Sequence, residues 1–522
     1  MAVWYDRPSL HTLRSRLILL LPLLALLLLP GCRKDRLFTD DPGARLEFSL
    51  DSVLFDTVFT QPQPGPEIPS VTKRFVARNL QDRAVRVDIA LAGGTPSPYR
   101  INVDGLSGVQ FPAVEILGKD SIFVFVEVTL DQNNQSNPLV VEDRILFNTN
   151  GNEQEVRLMA WGQDAHYHLP GPPEDQIQGL PTFGYLAGGL ENGSQICETV
   201  IWTNDKPHVI FGYGVVDSCS TLIMQAGTRV HVHGGGGMWI YRHGRIEANG
   251  TLDLPITIQG DRLEPFYAEV PGQWDRIWIN EGPAGGDNRF THVVIKNSLI
   301  GIQCETWPLL PDLGTSQNRL ILENVHIRNC SAAGILSRNY RISSTNLVVG
   351  DCGQYGVALT GGGEYYFNHS TIANYWSLGT PPRQTPAFIM TNLFQAYTGA
   401  TYVRQIEESQ FVNGIVYGSN TNEFQLDIAE PESQVFTFTN FILRTDQATN
   451  NAQFFPDQNS IYRNTEPGFA NVQERDLRLL PSAQARNKAI VIAGDFISSF
   501  DIEGRSRSCD GPPDLGAYEY CP

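Results

Sequence analysis

The chain has 522 residues, of which 41% are hydrophobic and 18% charged. That balance fits a globular chain of two or three domains and excludes a wholly disordered one. A formal net charge of −18 repels phosphate backbones and anionic head groups, which argues against nucleic acid as a partner.

Residues 1–31 form the first element. Arg7, Arg14 and Arg16 precede the apolar run "LILLLPLLALLLLP" at residues 17–30. The run falls short of the roughly 20 residues that a spanning helix needs and contains Pro22, so it is expected to be a cleaved signal peptide. Leu29 and Gly31 directly before Cys32 resemble the lipobox of bacterial lipoproteins, with Pro30 in place of the usual small residue. The resemblance implies that Cys32 is the lipid attachment site and that the protein meets the membrane through an acyl anchor. Residues 32–44, "CRKDRLFTDDPGA", then form a polar tether. The expected location is the cell envelope, as an outer-membrane lipoprotein facing the periplasm or the cell surface.

Residues 45–162 alternate with a period of two. In "AVRVDIAL", Val85, Val87, Ile89 and Leu91 share one face, while Arg86 and Asp88 share the other. Ile122, Val124, Val126 and Val128 repeat the pattern. About seven such runs, separated by Gly, Asn, Asp and Pro, predict an immunoglobulin-like β-sandwich. A small sandwich beside a membrane anchor suits a spacer. Residues 163–200 are rich in Pro and Gly and are expected to be a linker.

From residue 201 a seven-residue phrase recurs: "HVVIKNS" at 292, "NVHIRNC" at 324, "NLVVGDC" at 346, "HSTIANY" at 369, "NGIVYGS" at 413 and "NFILRTD" at 440. The intervals of 32, 22, 23, 44 and 27 fit a unit near 22 residues with loops inserted, such as residues 307–316. Repeats of this length build a solenoid. Ile295, Ile327, Val349, Ile372, Val416 and Leu443 form one column, and Val293, Val325 and Leu347 form another two residues earlier. That is strand periodicity. Asn297, Asn329, Asp351 and Asn374 occupy the next inward place, where they can turn the chain and hydrogen-bond from rung to rung. A Gly before an aliphatic residue at 301–302, 334–335 and 356–357 starts the next strand. The predicted fold is therefore all-β, a right-handed parallel β-helix over residues 201–500 with a cap at 501–522. Leucine-rich repeats share the unit length but require a more regular leucine column. The outward residues Val348, Ala373 and Ile415 are apolar for a free sheet, so the 376–408 insertion or the sandwich is expected to cover them.

Of the seven cysteines after Cys32, at least one cannot pair within the chain. Cys197 with Cys219 and Cys509 with Cys521 are candidate disulfides in an oxidising compartment. Cys330 and Cys352 fall in one column, as a bridge or as stacked thiols. No C-x-x-C spacing suggests zinc, no motif calls for a cofactor, and His231 and His233 are expected to face solvent.

The segments "FDTVFT", "YRINVDG", "FNTNGNEQEVRLMAWGQDAH", "WTNDKP", "QGDRLEPFYAEVPGQWDRIWI" and "CGQYGVAL" together resemble an uncharacterised family of Bacteroidota-type surface lipoproteins. The ending, with "DIEGRSR" and "PDLGAYEY", resembles the C-terminal signature of many bacterial β-helix surface proteins. This resemblance implies fold and compartment and brings no catalytic residues.

The densest polar cluster lies at residues 260–279. Asp261, Arg262, Trp274, Asp275 and Arg276 are candidate ligand-binding residues, with Trp274 stacking on a sugar ring and the charges bonding hydroxyls; packing at a corner is the alternative for the tryptophan. Lys296, His326 and Arg328 form a possible basic spot for an acidic ligand, or an ordinary solvated face. The expected function is glycan or surface-protein recognition at the cell envelope. The alternatives are a polysaccharide lyase or glycoside hydrolase, for which paired acids are scarce, and a structural component of a surface assembly.

Overall fold

A computed structural model describes residues 37–62, 71–132, 139–306, 314–377, 382–395, 399–492 and 499–522. The signal segment and Cys32 lie outside the described residues. So do parts of the insertions at 307–316 and 376–408. The described residues form strands and short 3-10 turns, so the chain is all-β. No helix among them is long and apolar enough to cross a membrane. Contacts divide the chain into two compact units, the first drawn from residues up to Trp161 and the second from Gly162 onward together with the segments Phe59–Glu67 and Asp131–Leu139.

The first unit has two five-stranded sheets. One runs in the order Leu46–Phe48, Thr72–Asn79, Ser121–Val128, Tyr99–Val103 and Leu106–Gly108, and the other Ser52–Phe59, Asn152–Gln163, Leu139–Thr149, Val85–Leu91 and Gln110–Ile116. The period-two pattern explains why both enclose one core. Val85, Val87, Ile89 and Leu91 are buried with Val124, Val126, Phe75, Tyr99 and Phe147, and Arg86 and Asp88 are exposed. The expected tether ends sooner than residue 44. Ala44 is fully buried, and Asn150 Nδ2 donates to the carbonyls of Thr39 at 2.8 Å and Asp41 at 3.0 Å. Those bonds satisfy backbone acceptors that a free tether would leave to water.

The second unit is a coil of strands that pair in parallel with a strand one turn later, with three antiparallel two-stranded hairpins beside it among the described residues. Three stacks of strands result. The first contains Phe183–Ala187, Tyr213–Val216, Gly237–Ile240, Ile277–Ile279 and Ile300–Glu305, and continues to Phe424–Asp427. The second contains Thr199–Trp202, Thr221–Met224 and Arg245–Asn249. The third contains His166–His168, His208–Ile210, Arg229–Val232 and Ile256–Gly260, and ends at Ile461–Arg463. Residues 163–200, expected as a linker, thus carry the first strands of the coil. Short strands inside a Pro- and Gly-rich stretch are hard to separate from turns by composition.

The recurring phrase is a third-stack strand with its corners. Its first residue, His292, Asn324, Asn346, His369, Asn413 or Asn440, has φ between 49° and 59° in every copy. Its sixth residue is also left-handed in Asn297, Asn329 and Asp351, with φ of 65°, 57° and 50°. Asn and Asp tolerate this conformation because their short polar side chains bond locally. Here they also bond along the coil: Asn346 Nδ2 donates to Asn324 Oδ1 at 2.8 Å, and Asn329 Nδ2 to Asn297 Oδ1 at 2.7 Å. The expected Asn column stops there. Asp351 turns outward to Arg475 at 2.8 Å, and Asn374 bonds the backbone of Cys352 instead. Between the corners, Ile295, Ile327, Val349, Ile372, Val416 and Leu443 are buried, as are Val293, Val325 and Leu347. The recurring glycines have a steric cause. A Cβ at Gly301 would run into the Ile327 side chain and the Gly334 carbonyl, and one at Gly334 into Val349 and the Gly356 carbonyl.

Cys197 is bonded to Cys219 and Cys509 to Cys521, while Cys304, Cys330 and Cys352 are free and buried. Cys330 and Cys352 are register partners on adjacent strands, stacked as thiols. The outer side of the second stack carries paired charges, among them Arg289–Glu323 at 2.9 Å and Arg319–Glu364 at 3.1 Å, partly exposed to solvent. The outer side of the third stack is covered, though not by the expected insertion. Val348, Ala373 and Ile415 pack with Phe469, Leu477, Leu479, Leu515 and Ala517 from the C-terminal segment. That segment is short of long apolar runs, so its role as a cover is not apparent from hydropathy.

The C-terminal signature fastens the cover. Arg507 Nη2 donates to Asn346 Oδ1 at 2.7 Å and to the carbonyls of Gly516 and Ala517, and Nη1 donates to Glu519 at 3.3 Å. Asp501 accepts the amides of Glu503, Arg505 and Glu519. Arg507→Met strands the buried Glu519 and Asn346 acceptors, so it is expected to lower unfolding stability by about 3–5 kcal/mol, measured by denaturant titration. A loss below about 1 kcal/mol would sink this account of the clasp.

Burial also holds several histidines neutral, pushing His168 down to about 3, His208, His231 and His326 down to about 4, and His369 well below its ordinary value. Unfolded histidines titrate near ~6.5, so below that pH the unfolded chain binds more protons and stability falls until the folded values are reached. The melting temperature should therefore drop steadily from pH 6.5 to pH 4, less steeply in a His208→Asn variant. Parallel curves for the two proteins would contradict the assignment.

Candidate functional site

The first stack carries an aromatic strip on its outer side. Its outward column runs Val215, Trp239, Trp278, Gln303 and Leu336 in strand register. Alternation within each short strand produces it, because the inward neighbours Met238, Ile240, Ile277 and Ile279 are fully buried. Trp239 and Trp278 stack with centroids 4.7 Å apart and planes 11° apart, close to the rung spacing, and Tyr241 meets Trp239 edge-on at 5.3 Å. Phe183 and Tyr213 extend the cluster and are buried, as are Trp239, Gln303 and Glu305, whereas Trp278 is half-buried and Tyr185 beside them is 44% exposed.

Polar groups continue where the aromatics stop. Trp278 Nε1 donates to Glu305 Oε1 at 2.6 Å, and Glu305 Oε2 accepts from Gln303 at 3.2 Å and Arg338 at 3.1 Å. Arg276 bonds Gln303 and pairs with Asp275 at 2.9 Å, and the Tyr213 hydroxyl donates to Asp275. Burial, reinforced by Asp275, pushes the Tyr213 phenol above its ordinary range, so it stays a donor. Two arginines face two carboxylates, so the strip bears no local net charge. Each group is held by its neighbours, so the accessible ones, Trp278, Asp275, Arg276 and Arg338, are already oriented.

The candidate residues of the 260–279 segment do not form one site. Asp275 and Arg276 belong to the strip. Trp274 is 1% exposed, inside the core, with Nε1 donating to the Lys296 carbonyl at 2.9 Å. It offers no face for a sugar, and its expected stacking role is corrected to corner packing. Asp261 pairs with His233 at 2.6 Å, and that bond raises the imidazole pKa. Arg262 pairs with Glu264 at 2.7 Å and lies over Tyr267. Arg262 thus ties the loop to itself, and Asp261 ties it to the residue that follows the Arg229–Val232 strand. His231 is buried, its Nδ1 3.0 Å from the Gly260 carbonyl, rather than facing solvent. The basic spot is neutralised in part, since Lys296 and Arg328 both pair with Glu269, at 3.7 Å and 2.7 Å.

Among the described residues, the group of metal-ligating side chains that converges is Cys509, Asp510 and Glu519, and its sulfur is committed to the disulfide. Trp239, Trp278, Gln303, Glu305 and Arg338 are absent from the sequence-derived site. A signal exists: "MWI", "IWI" and "IQC" at 238–240, 277–279 and 302–304 are one aligned triplet whose central residue points outward. Only the register makes that alignment visible.

No family model matches the chain, and no curated protein matches it. Among solved structures, it is similar over 23% of its length to a family 123 glycoside hydrolase from Clostridium perfringens, at 7% identity and a TM-score of 0.16, and it spans 26% of that chain. The CooA pilin subunit from enterotoxigenic Escherichia coli matches 23% of this chain and 96% of its own, at 10% identity and a TM-score of 0.16. The Agl-KA catalytic domain matches 72% of this chain and 80% of its own, at 11% identity and a TM-score of 0.13. At these scores the similarities carry no argument about function.

Proposed function

We propose that this is a lipid-anchored envelope protein that recognises a neutral glycan on the aromatic strip of the first stack. The observation that carries the reading is the half-buried Trp278, stacked on the buried Trp239 and fixed by its bond to Glu305, with Arg276 and Arg338 alongside. Sugars offer apolar ring faces to aromatic side chains and hydroxyls to planar polar groups, and a strip without net charge suits a neutral polymer. In this reading the coil is a right-handed parallel β-helix and the first unit an immunoglobulin-like spacer. Cys32 carries the lipid on an outer-membrane protein of the Bacteroidota-type surface family whose segments it resembles.

The test is affinity electrophoresis of the full chain in mild detergent through gels cast with neutral polysaccharides. Retardation is expected in at least one gel, and Trp278→Ala or Glu305→Gln should weaken it about tenfold, the equivalent of ~1.4 kcal/mol. Undiminished retardation in both variants would move the binding surface elsewhere. Fatty-acid labelling of the same chain should vanish in Cys32→Ser, and label retained there would refute the anchor.

A further inference from the structure

A cleft of about 370 Å³ opens at the corner that follows the third-stack strands, lined by Asn329, Asp351, Tyr375, Trp376 and Arg475 among others. It is built from parts the aromatic strip does not use. Asn329 and Asp351 are left-handed corner residues of successive phrases. Tyr375 and Trp376 follow directly on the Thr371–Asn374 strand. Arg475 comes from the C-terminal cover.

Three observations point to an occupant. Asn329 has no solvent exposure, and although its Nδ2 bonds Asn297, its Oδ1 has no protein partner. A buried acceptor left open in a folded protein calls for a donor from outside the chain. Arg475 is fixed in place by two carboxylates, Asp351 at 2.8 Å from its Nε and Glu269 at its Nη1. Trp376 is seated by its own amide, which donates to Asn374 Oδ1 at 3.3 Å, and its indole packs over Gly353. A half-buried Trp beside a half-buried Tyr, an open acceptor, a held carboxylate and a held guanidinium form the complement of a small polyol with one apolar face.

We infer that this cleft binds a single neutral hexose residue, with its ring against Trp376 and its hydroxyls donating to Asn329 Oδ1 and Asp351. The volume is enough for one pyranose and too small for a chain of several. Asp351 and Arg475 cancel in charge, so a neutral sugar fits better than a uronic acid. The inference does not rest on glycan binding by the strip.

The experiment is equilibrium titration of the full-length protein in detergent with glucose, galactose, mannose and N-acetylglucosamine, followed by tryptophan fluorescence and calorimetry. Saturable binding of at least one is expected, with a Kd on the order of 1 mM. Trp376→Ala and Asp351→Asn should each weaken it tenfold or more, while Leu190→Ala, at an exposed residue outside both the cleft and the strip, leaves it unchanged. Asp351→Asn preserves shape and tolerates the left-handed backbone, so an unaltered melting curve in that variant separates lost binding from lost fold. No saturable binding of any of the four sugars would overturn the inference. Binding abolished by Trp278→Ala but not by Trp376→Ala would overturn it too, placing the sugar on the strip.

Discussion

The six copies of the recurring phrase depend on forcing the backbone into the left-handed region at the corner before the third-stack strand, and in three of them at the corner after it as well. His292, Asn324, Asn346, His369, Asn413 and Asn440 stand at the first corner, and Asn297, Asn329 and Asp351 at the second. A β-branched residue at such a place would clash with its own carbonyl, whereas Asn and Asp recover the strain by bonding a neighbour. The two corners leave four residues of strand between them. That length sets which side chains alternate inward, and the inward set stacks into columns because successive copies pair in register. Stability is shared between adjacent turns, as expected of a solenoid. Within it the packing changes character along the axis, from aliphatic columns to stacked rings such as Phe411 and Phe438, 4.4 Å apart.

Once the register is set, the three outer sides are free to differ. The second carries ion pairs that solvent screens, and they add solubility more than stability. The third carries Val348, Ala373 and Ile415, which water would penalise, and the chain's own C-terminal segment covers them through an Arg507-centred clasp. The first carries the aromatic strip and its bonded arginines and acids. The same backbone thus supports a screened side, a sealed side and a side suited to contact. Function on such a scaffold has to be argued from outward residues, because the inward ones only repeat the packing rule.

The core of both units was legible in the sequence. Val85, Val87 and Ile89 in the first, and Ile295, Ile327 and Val349 in the second, follow periodicity alone, and periodicity reports burial. The site was legible only in part. Asp275 and Arg276 stand out as members of the densest polar cluster and do lie on the strip. Trp274 and Trp278 look alike in sequence, four residues apart, yet one is sealed in the core and the other faces outward. Even spacing does not separate them, because a corner intervenes and resets the alternation between Trp274 and Ile277.

The sequence by itself determined what is local: an apolar leader before Cys32, strand periodicity, the corner residues and the steric need for Gly301 and Gly334. These follow from propensities and contacts over a few residues or between adjacent copies of one phrase. Only the tertiary structure decided what covers the apolar column at Val348, why Lys296 and Arg328 meet Glu269, and how Asn329, Trp376 and Arg475 come to share a cleft. Asn329 and Arg475 are 146 positions apart, and no local rule spans that distance. It is the winding of the coil and the return of its C-terminal segment that bring them together.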